Sequence, residues 1–198
     1  MLALTEELTQ SIAYQGRKYP IDLSYDNVLR FYQLLDDADF DEGEKIIAAF
    51  HIFFDEEVPD DPEFLMNVFQ LLGEYVSASP YCGDTAESQG DQAPIRYFSF
   101  QQDAPAIYAS FMEQYGIDLI EEQGRLHWDK FKALLDGLDP DTQFRRIIAI
   151  RQRTTDGLEG EELAALMEQQ QYYRLTDGAS VDAQTQRTDA MLDALFKK

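Results

Sequence analysis

An acidic stretch of the chain has the residue types that could bind calcium. Counted from Asp37, the first, third and fifth positions of a possible calcium-binding loop are all aspartates. An EF-hand loop also needs glycine at position six for a sharp turn and a bidentate glutamate at position twelve. Here position six is Glu42 and position twelve is Ala48. Because both requirements fail, we interpret the stretch as an acidic loop that favourably begins the next helix.

The histidines and the cysteine are not spaced for metal binding or nucleophilic catalysis. Neither His51 nor His127 has a second histidine four residues away, and Cys82 is the only cysteine. A phosphate-binding loop and a nucleophile elbow are also missing from the sequence. Cys82 lies in a stretch without periodicity, where catalytic geometry would be hardest to hold. We therefore expect no catalytic, metal-binding or cofactor-binding residues, and no enzymatic activity.

The elements that position these residues begin with a small hairpin. Apolar residues alternate in Ser11–Tyr14 and in Arg17–Ile21, and Gln15-Gly16 between them is suited to a two-residue turn. Ser24 can then cap a helix that starts near Tyr25.

Further helices are predicted from apolar residues at helical spacing and from capping signals. Asp61, followed by proline and glutamate, is a strong helix start. Asp103 is expected to cap a helix that Gly116 ends, and residues 95–100 could form a short strand near Phe98. The sequence therefore predicts a mainly α protein, a multi-helix bundle with a small N-terminal β-hairpin. The other predicted helices contain Ile46–Phe54, Trp128–Leu138, Phe144–Ile150, Glu161–Arg174 and Asp182–Phe196.

Composition divides the chain into four segments. Residues 1–77 hold the hairpin and the first helices, and residues 78–94 are rich in Gly, Ser, Asp, Gln and Pro, as in a linker or mobile loop. Residues 95–153 form a central helical region. Residues 154–198 form polar C-terminal helices or a tail.

The net charge restricts the partners that the chain could bind. A formal charge of -22 disfavours binding to nucleic-acid phosphates or to an anionic membrane surface. The sequence contains neither a signal peptide nor an apolar run long enough to span a membrane. We expect a soluble cytoplasmic protein whose partner is another protein or a second copy of itself.

Positive charge is concentrated between residues 125 and 153. This basic segment could be a contact surface for the acidic face of a partner, with Arg145, Arg146 and Arg151 as candidate residues. Alternatively, its cations pair with carboxylates of the first half of the chain. The cations of the segment are Arg125, Lys130, Lys132, Arg145, Arg146, Arg151 and Arg153.

Two apolar groups are further candidates for partner binding. Trp128 and Phe131 could line a groove for an apolar helix, although such a stripe is more often core. Leu192, Leu195 and Phe196 form a narrow stripe that could dock onto the body, pair with a second copy or meet a partner. A frayed tail is the alternative for that last segment.

Three stretches together resemble a known family. Their order is similar to that of small acidic proteins from the tail-gene clusters of phages and prophages of Gram-positive bacteria, which are typically encoded just ahead of the tape-measure protein. The stretches are Ala109–Leu119 (ASFMEQYGIDL), Leu126–Leu138 (LHWDKFKALLDGL) and Asp141–Arg151 (DTQFRRIIAIR).

The resemblance implies a role in tail assembly, with no chemistry and no assigned binding residues. The expected function is that of a non-enzymatic chaperone that holds the tape-measure protein soluble until tail-tube subunits assemble around it. A structural virion subunit of the tail or connector is one alternative, and it should form closed rings. An acidic DNA mimic or inhibitor is the other alternative, and the basic segment argues against it.

Overall fold

A computed structural model describes residues 2–55, 59, 61–78 and 97–176 of the chain. In these ranges the protein is mainly α-helical, with one two-stranded antiparallel hairpin, which confirms the predicted fold class. The elements are β1 (Ser11–Tyr14), β2 (Arg17–Pro20), α1 (Tyr25–Asp36), α2 (Glu42–Phe53), α3 (Pro62–Ser77), α4 (Ala104–Tyr115), α5 (Trp128–Asp136), α6 (Gln143–Gln152) and α7 (Gly160–Tyr172).

The hairpin forms at the predicted position. Tyr14 pairs with Arg17 across the turn, and the register continues to Ser11 opposite Pro20. Both turn residues have positive φ, 46° at Gln15 and 81° at Gly16. Such a turn matches the right-handed twist of the two strands, and glycine adopts its half of the turn without strain.

Capping explains why α2 and α3 begin where they do. The Asp41 carboxylate accepts from the Glu44 backbone N–H, and the Glu44 carboxylate accepts from the Asp41 N–H, each at 2.9 Å. This capping box confirms that the acidic loop favourably begins the next helix. Asp61 likewise accepts from the Glu63 N–H at 3.0 Å, as the sequence predicts for the start of α3.

Two predicted caps occupy the expected positions but use their side chains differently. Ser24 is the N-cap residue of α1, yet its hydroxyl makes no capping hydrogen bond. Asp103 is the N-cap residue of α4, and its carboxylate accepts from the Ser99 N–H, which precedes the helix. At the other end of α4, Gly116 has a φ of 65° and ends the helix as predicted.

Residue contacts divide the described chain into two compact units. The first unit contains the residues up to 78 together with 123–133, and the second contains 97–122 and 134–176. The first part of α5 therefore belongs to the first unit and its last turn to the second. The four segments predicted from composition place residues 123–133 with the central region, so the two divisions differ.

Aromatic side chains fill the core of the first unit. Phe31 lies at its centre, with ring centroids 5.4 Å from Phe53 and 5.7 Å from Phe69, both in edge-to-face geometry. Such aromatic pairs stabilise a core beyond the area that they bury. The largest fully buried side chains of this unit are Trp128, Phe31, Phe53, Phe64, Phe69, Phe131, Leu72, Val28 and Val68.

The second unit packs α4 against α6 and α6 against α7. Phe111 of α4 and Phe144 of α6 are its largest fully buried side chains. Helix α7 contributes only Leu166 to the buried apolar residues, so polar contacts must hold much of it in place.

The predicted strand near Phe98 is not found in the described residues 97–100. Backbone groups of this segment bond to side chains and not to another strand. Arg151 donates to the Tyr97 carbonyl at 2.9 Å, and the Ser99 N–H donates to the Asp103 carboxylate. Most of the predicted linker at 78–94, with Cys82, lies outside the described residues. The helix predicted at 182–196 lies outside them as well.

Among the helices of the described ranges, none is both long and apolar enough to cross a lipid bilayer.

Candidate functional site

The first of the three family-like stretches holds the second unit together. The Ser110 hydroxyl donates to the Ala106 carbonyl at 2.7 Å and accepts from the Phe144 N–H at 3.0 Å, so α4 caps the start of α6. Gln114 accepts from the Asp139 N–H at 2.7 Å, which holds the loop between α5 and α6. These side chains are occupied by contacts within the fold.

The second stretch joins the start of α5 to the start of α1. The Trp128 N–H donates to the Leu23 carbonyl at 2.8 Å, and the Tyr25 N–H donates to the Leu126 carbonyl at 2.9 Å. These bonds form an antiparallel bridge between Ser24 and His127. Both helices therefore start from one short β-like pairing.

Trp128 and Phe131, two predicted partner-binding residues, lie in the core. Trp128 is 2% exposed and Phe131 is 1% exposed. The Trp128 indole donates to the Val76 carbonyl at 3.3 Å, and Phe131 stacks on Tyr25 at 4.8 Å. A partner could reach either ring only if the first unit opened, so their role in binding stays a prediction.

Arg151, from the third stretch, is also engaged inside the fold. Its guanidinium forms a bidentate pair with Asp103, with Nη1–Oδ2 at 2.7 Å and Nη2–Oδ1 at 2.8 Å. Its Nε donates to the Tyr173 carbonyl at 2.7 Å. The side chain is only 7% exposed. Among the candidates on α6, Arg146 is exposed and Arg145 is half-buried.

The ion pairs of the basic segment join residues of the second half of the chain. Lys132 lies 3.7 Å from Asp129, and Arg153 lies 2.8 Å from Glu162. Together with the Asp103 pair of Arg151, these partners belong to the second half of the chain. Pairing with carboxylates of the first half is therefore wrong for the ion pairs that the described ranges contain. Leu192, Leu195 and Phe196 lie outside those ranges.

A buried polar cluster lies at the start of α5, and the sequence analysis did not predict it. Asp129 is 3% exposed and accepts from the Tyr75 hydroxyl at 2.6 Å. The Asp129 N–H donates to His127 Nδ1 at 3.2 Å, so His127 caps the helix with its side chain. His127 Nε2 lies 3.2 Å from the Thr9 carbonyl. Tyr75 is far from Asp129 in sequence, so no local sequence pattern predicts their contact.

Burial governs the protonation of this cluster. It lowers the pKa of His127 below the ordinary 6.5, against the opposing effect of the Thr9 carbonyl. Burial, and then the hydrogen bond to Asp129, raise the pKa of the Tyr75 hydroxyl. Both ring nitrogens of the neutral histidine are engaged, which leaves no free nitrogen to act as a base. The cluster is arranged to hold α5 in place.

A cavity of about 210 Å³ lies next to this cluster, wholly within the first unit. We call it the Ser24–His127 cavity, after the bridge on its wall. Three segments surround it: residues 8–10, residues 21–24, and the stretch from Gly124 to Lys130. The Ile21 N–H donates to the Gln10 carbonyl at 3.0 Å, which connects the first two segments. Its lining residues are Leu8, Thr9, Gln10, Ile21, Asp22, Leu23, Ser24, Gly124, Arg125, His127 and Lys130.

Charged groups of opposite sign line the cavity. Both Asp22 carboxylate oxygens are occupied, since Oδ1 accepts from the Ser24 N–H and Oδ2 accepts from Asn27 Nδ2, each at 2.9 Å. Arg125 and Lys130 are exposed, and neither forms an ion pair within the described ranges. The cavity is therefore a candidate binding site within the first unit. Both cations belong to the basic segment defined from the sequence. Their proximity to residues 8–10 and 21–24 is a tertiary contact that no local sequence pattern predicts.

Within the described ranges, no three His, Cys, Asp or Glu side chains lie close enough together to hold a metal ion. In the former calcium candidate, Asp37 accepts from the Asp39 N–H at 2.9 Å and Asp41 caps α2.

Comparison with known proteins gives one match. No curated protein is similar to this chain, and neither is any solved structure. The profile of a family described as Bacteriophage Gp15 protein matches residues 4–175, a range that includes both compact units and all three family-like stretches. The chain therefore belongs to the Bacteriophage Gp15 protein family.

Proposed function

We propose that this chain is a non-enzymatic tail assembly protein that acts as a chaperone for the phage tape-measure protein in the host cytoplasm. The observation that carries the proposal is membership of a phage protein family over residues 4–175. The resemblance to tail-cluster proteins supplies the more specific role. The family-like side chains bond and pack within the fold, which supports a structural and not a catalytic role for them.

The surface chemistry fits a partner that is apolar and helical. Single exposed apolar side chains are common on any protein, so none of them defines a site alone. Combined with a net charge of -22, they would let the chain cover apolar helices while its carboxylates keep the complexes apart. The large exposed apolar residues are Leu2, Leu4, Phe40, Ile47, Leu71, Met112, Ile120, Met167 and Tyr172.

The accessible cations of α6 are the part of the predicted contact surface that a mutation can best test. Arg146 is exposed, Arg145 is half-buried, and neither forms an ion pair in the described part of the chain. Complementary charge across an interface mainly increases association rate and specificity. Reversing both charges should therefore weaken binding without unfolding the second unit.

Co-expression with the tape-measure protein tests the proposal. The pair is purified and analysed by size-exclusion chromatography with light scattering. We expect the tape-measure protein to remain soluble only in a stable complex with this chain. Separate elution together with a closed ring of this chain alone would replace the chaperone by a virion subunit.

Charge reversal then locates the contact. The double variant Arg145→Glu and Arg146→Glu should lower the recovery of the complex. Lys18→Glu, at an exposed position of β2, is the matched control and should leave the recovery unchanged. Leu192→Ser and Phe196→Ser test the C-terminal candidates in the same assay. Equal recovery with all variants would contradict the predicted contact residues.

A further inference from the structure

The Ser24–His127 cavity lies where two helices begin. Ser24 is the N-cap residue of α1, and His127 caps α5 through its Nδ1. A helix start favours negative charge where its N–H groups are free. Here the N–H groups of Ser24, Tyr25, Trp128 and Asp129 already donate within the fold, so a preference of the cavity for anions has to come from its side chains.

Two cations at the cavity give it that preference. Arg125 and Lys130 both line it and form no ion pair with the described part of this strongly acidic chain. The acid on the same wall, Asp22, already accepts hydrogen bonds from Ser24 and Asn27. His127 is neutral and both its nitrogens are engaged, so it adds no charge of either sign.

The hydroxyl of Ser24 is an independent indication of a ligand site. Ser24 is 3% exposed and lines the cavity. Its Oγ is buried and has no hydrogen-bond partner in the described structure, the only such side-chain atom found there. Leaving a buried hydroxyl unpaired is unfavourable, and most native structures avoid it. Because Ser24 lines the cavity, a bound acceptor within reach of Oγ would satisfy this hydroxyl.

We propose that the Ser24–His127 cavity binds a small oxyanion, a molecule bearing carboxylate or phosphate groups. Arg125 and Lys130 would supply the charge, and the Ser24 hydroxyl would supply a hydrogen-bond donor. The cavity volume of about 210 Å³ is several times the roughly 30 Å³ that one water takes up in the liquid. It therefore has room for a compact polyanionic molecule. The proposal does not depend on the chaperone function.

Titration with inorganic phosphate and with citrate, followed by two-dimensional NMR of the full chain, tests this inference. Sodium chloride at the same ionic strength is the reference. We expect saturable shifts confined to the amides of residues 8–10, 21–24 and 124–130. Saturation by phosphate alone identifies a phosphate ligand, and saturation by citrate alone identifies a carboxylate ligand. Shifts that do not saturate, or that spread over the surface, would overturn the proposal.

Variants separate specific binding from general charge. Arg125→Gln and Lys130→Gln should each raise the dissociation constant by about tenfold, which is typical of losing one charge-assisted hydrogen bond. Ser24→Ala should raise the dissociation constant by a smaller factor. Lys18→Gln removes an exposed cation of the same unit that does not line the cavity, and it should have no effect. Each variant is first shown to keep the wild-type amide spectrum elsewhere. If Lys18→Gln weakened binding as much as Lys130→Gln, the cavity would not be the site.

Discussion

At the scale of single residues, Arg151 shows how a charged side chain becomes part of a core. Its guanidinium is paired with Asp103 and also donates to the carbonyls of Tyr97 and Tyr173. Planar, bidentate geometry of this kind is specific to arginine. The contacts connect α6 to the segment before α4 and to the end of α7, which has little buried apolar surface of its own.

Replacing Arg151 by methionine should strongly destabilise the second unit. The change leaves the Asp103 carboxylate buried without its partner, and breaking a buried pair in this way costs about 3–5 kcal/mol. Urea unfolding followed by circular dichroism measures the loss in free energy of unfolding. Arg153→Gln is the control, because its pair with Glu162 is exposed and should contribute at most about 1 kcal/mol. Equal losses in the two variants would contradict the role of Arg151.

His127 should make the first unit sensitive to acid. Burial lowers its pKa in the folded protein, so the neutral form is favoured there. The stabilisation is complete above the ordinary pKa of 6.5 and is lost as the pH falls through the folded-state pKa. Protonation of Nδ1 would also remove the acceptor of the Asp129 N–H.

Comparison with His127→Asn measures this effect. Asparagine is a good N-cap residue and does not titrate, so it keeps a cap at all pH values. The free energy of unfolding of the wild type should fall more steeply than that of the variant below a pH of about 6.5. Carboxylates titrate in both proteins and largely cancel in the difference. Parallel profiles would show that His127 is not the acid-sensitive group.

At the scale of elements, helix α6 depends on a cap supplied by another helix. Thr142, its own N-cap residue, makes no side-chain capping bond. The Ser110 hydroxyl of α4 accepts from the Phe144 N–H instead. The pairing of α4 with α6 therefore combines buried apolar contact with one polar bond at the helix start.

Ser110→Ala should loosen the start of α6. Loss of a cap costs about 1 kcal/mol, within a range of about 0.5–2 kcal/mol. Hydrogen exchange at the Phe144 amide should become about fivefold faster, since this amide loses its acceptor. Ser77→Ala is the control, because its hydroxyl contacts only carbonyls of its own helix at the end of α3. Unchanged exchange at Phe144 in Ser110→Ala would rule out the cap.

At the scale of the whole molecule, the excess of acid dominates the electrostatics. The sequence has 38 acidic and 16 basic residues. Because acids outnumber bases more than two to one, most carboxylates repel one another across exposed surface. Such self-repulsion opposes the compact state and is screened by salt.

Raising the salt concentration should therefore raise the midpoint of thermal unfolding. Differential scanning calorimetry from about 0.01 M to 0.5 M sodium chloride measures the change, over which the Debye length falls from about 30 Å to well below 10 Å. The double variant Glu113→Gln and Glu168→Gln, at two exposed positions, should start from a higher midpoint and gain less. A midpoint that falls with salt would mean that attractive pairs outweigh the repulsion.

Local signals were sufficient to predict most of the elements. The Gln15-Gly16 turn, the Asp61 helix start and the Gly116 helix end each depend on a few neighbouring residues, so each is readable from sequence. The family-like stretches likewise predicted the relationship to phage proteins, which the match to residues 4–175 confirms. The predicted strand near Phe98 does not form in the described residues 97–100, because Asp103 and Arg151 bond to backbone groups that a strand partner would use.

The candidate site was decided by the tertiary structure. The Ser24–His127 cavity joins residues 8–10, 21–24 and 124–130, which lie about a hundred residues apart, and no local pattern encodes such a contact. The same is true of the Tyr75–Asp129 bond and of Trp128, which the sequence alone left between core and surface. Sequence determines which residues can cap, turn or be buried, because those preferences are local. Only the folded chain determines which distant residues share a cavity, because that depends on how all the helices pack together.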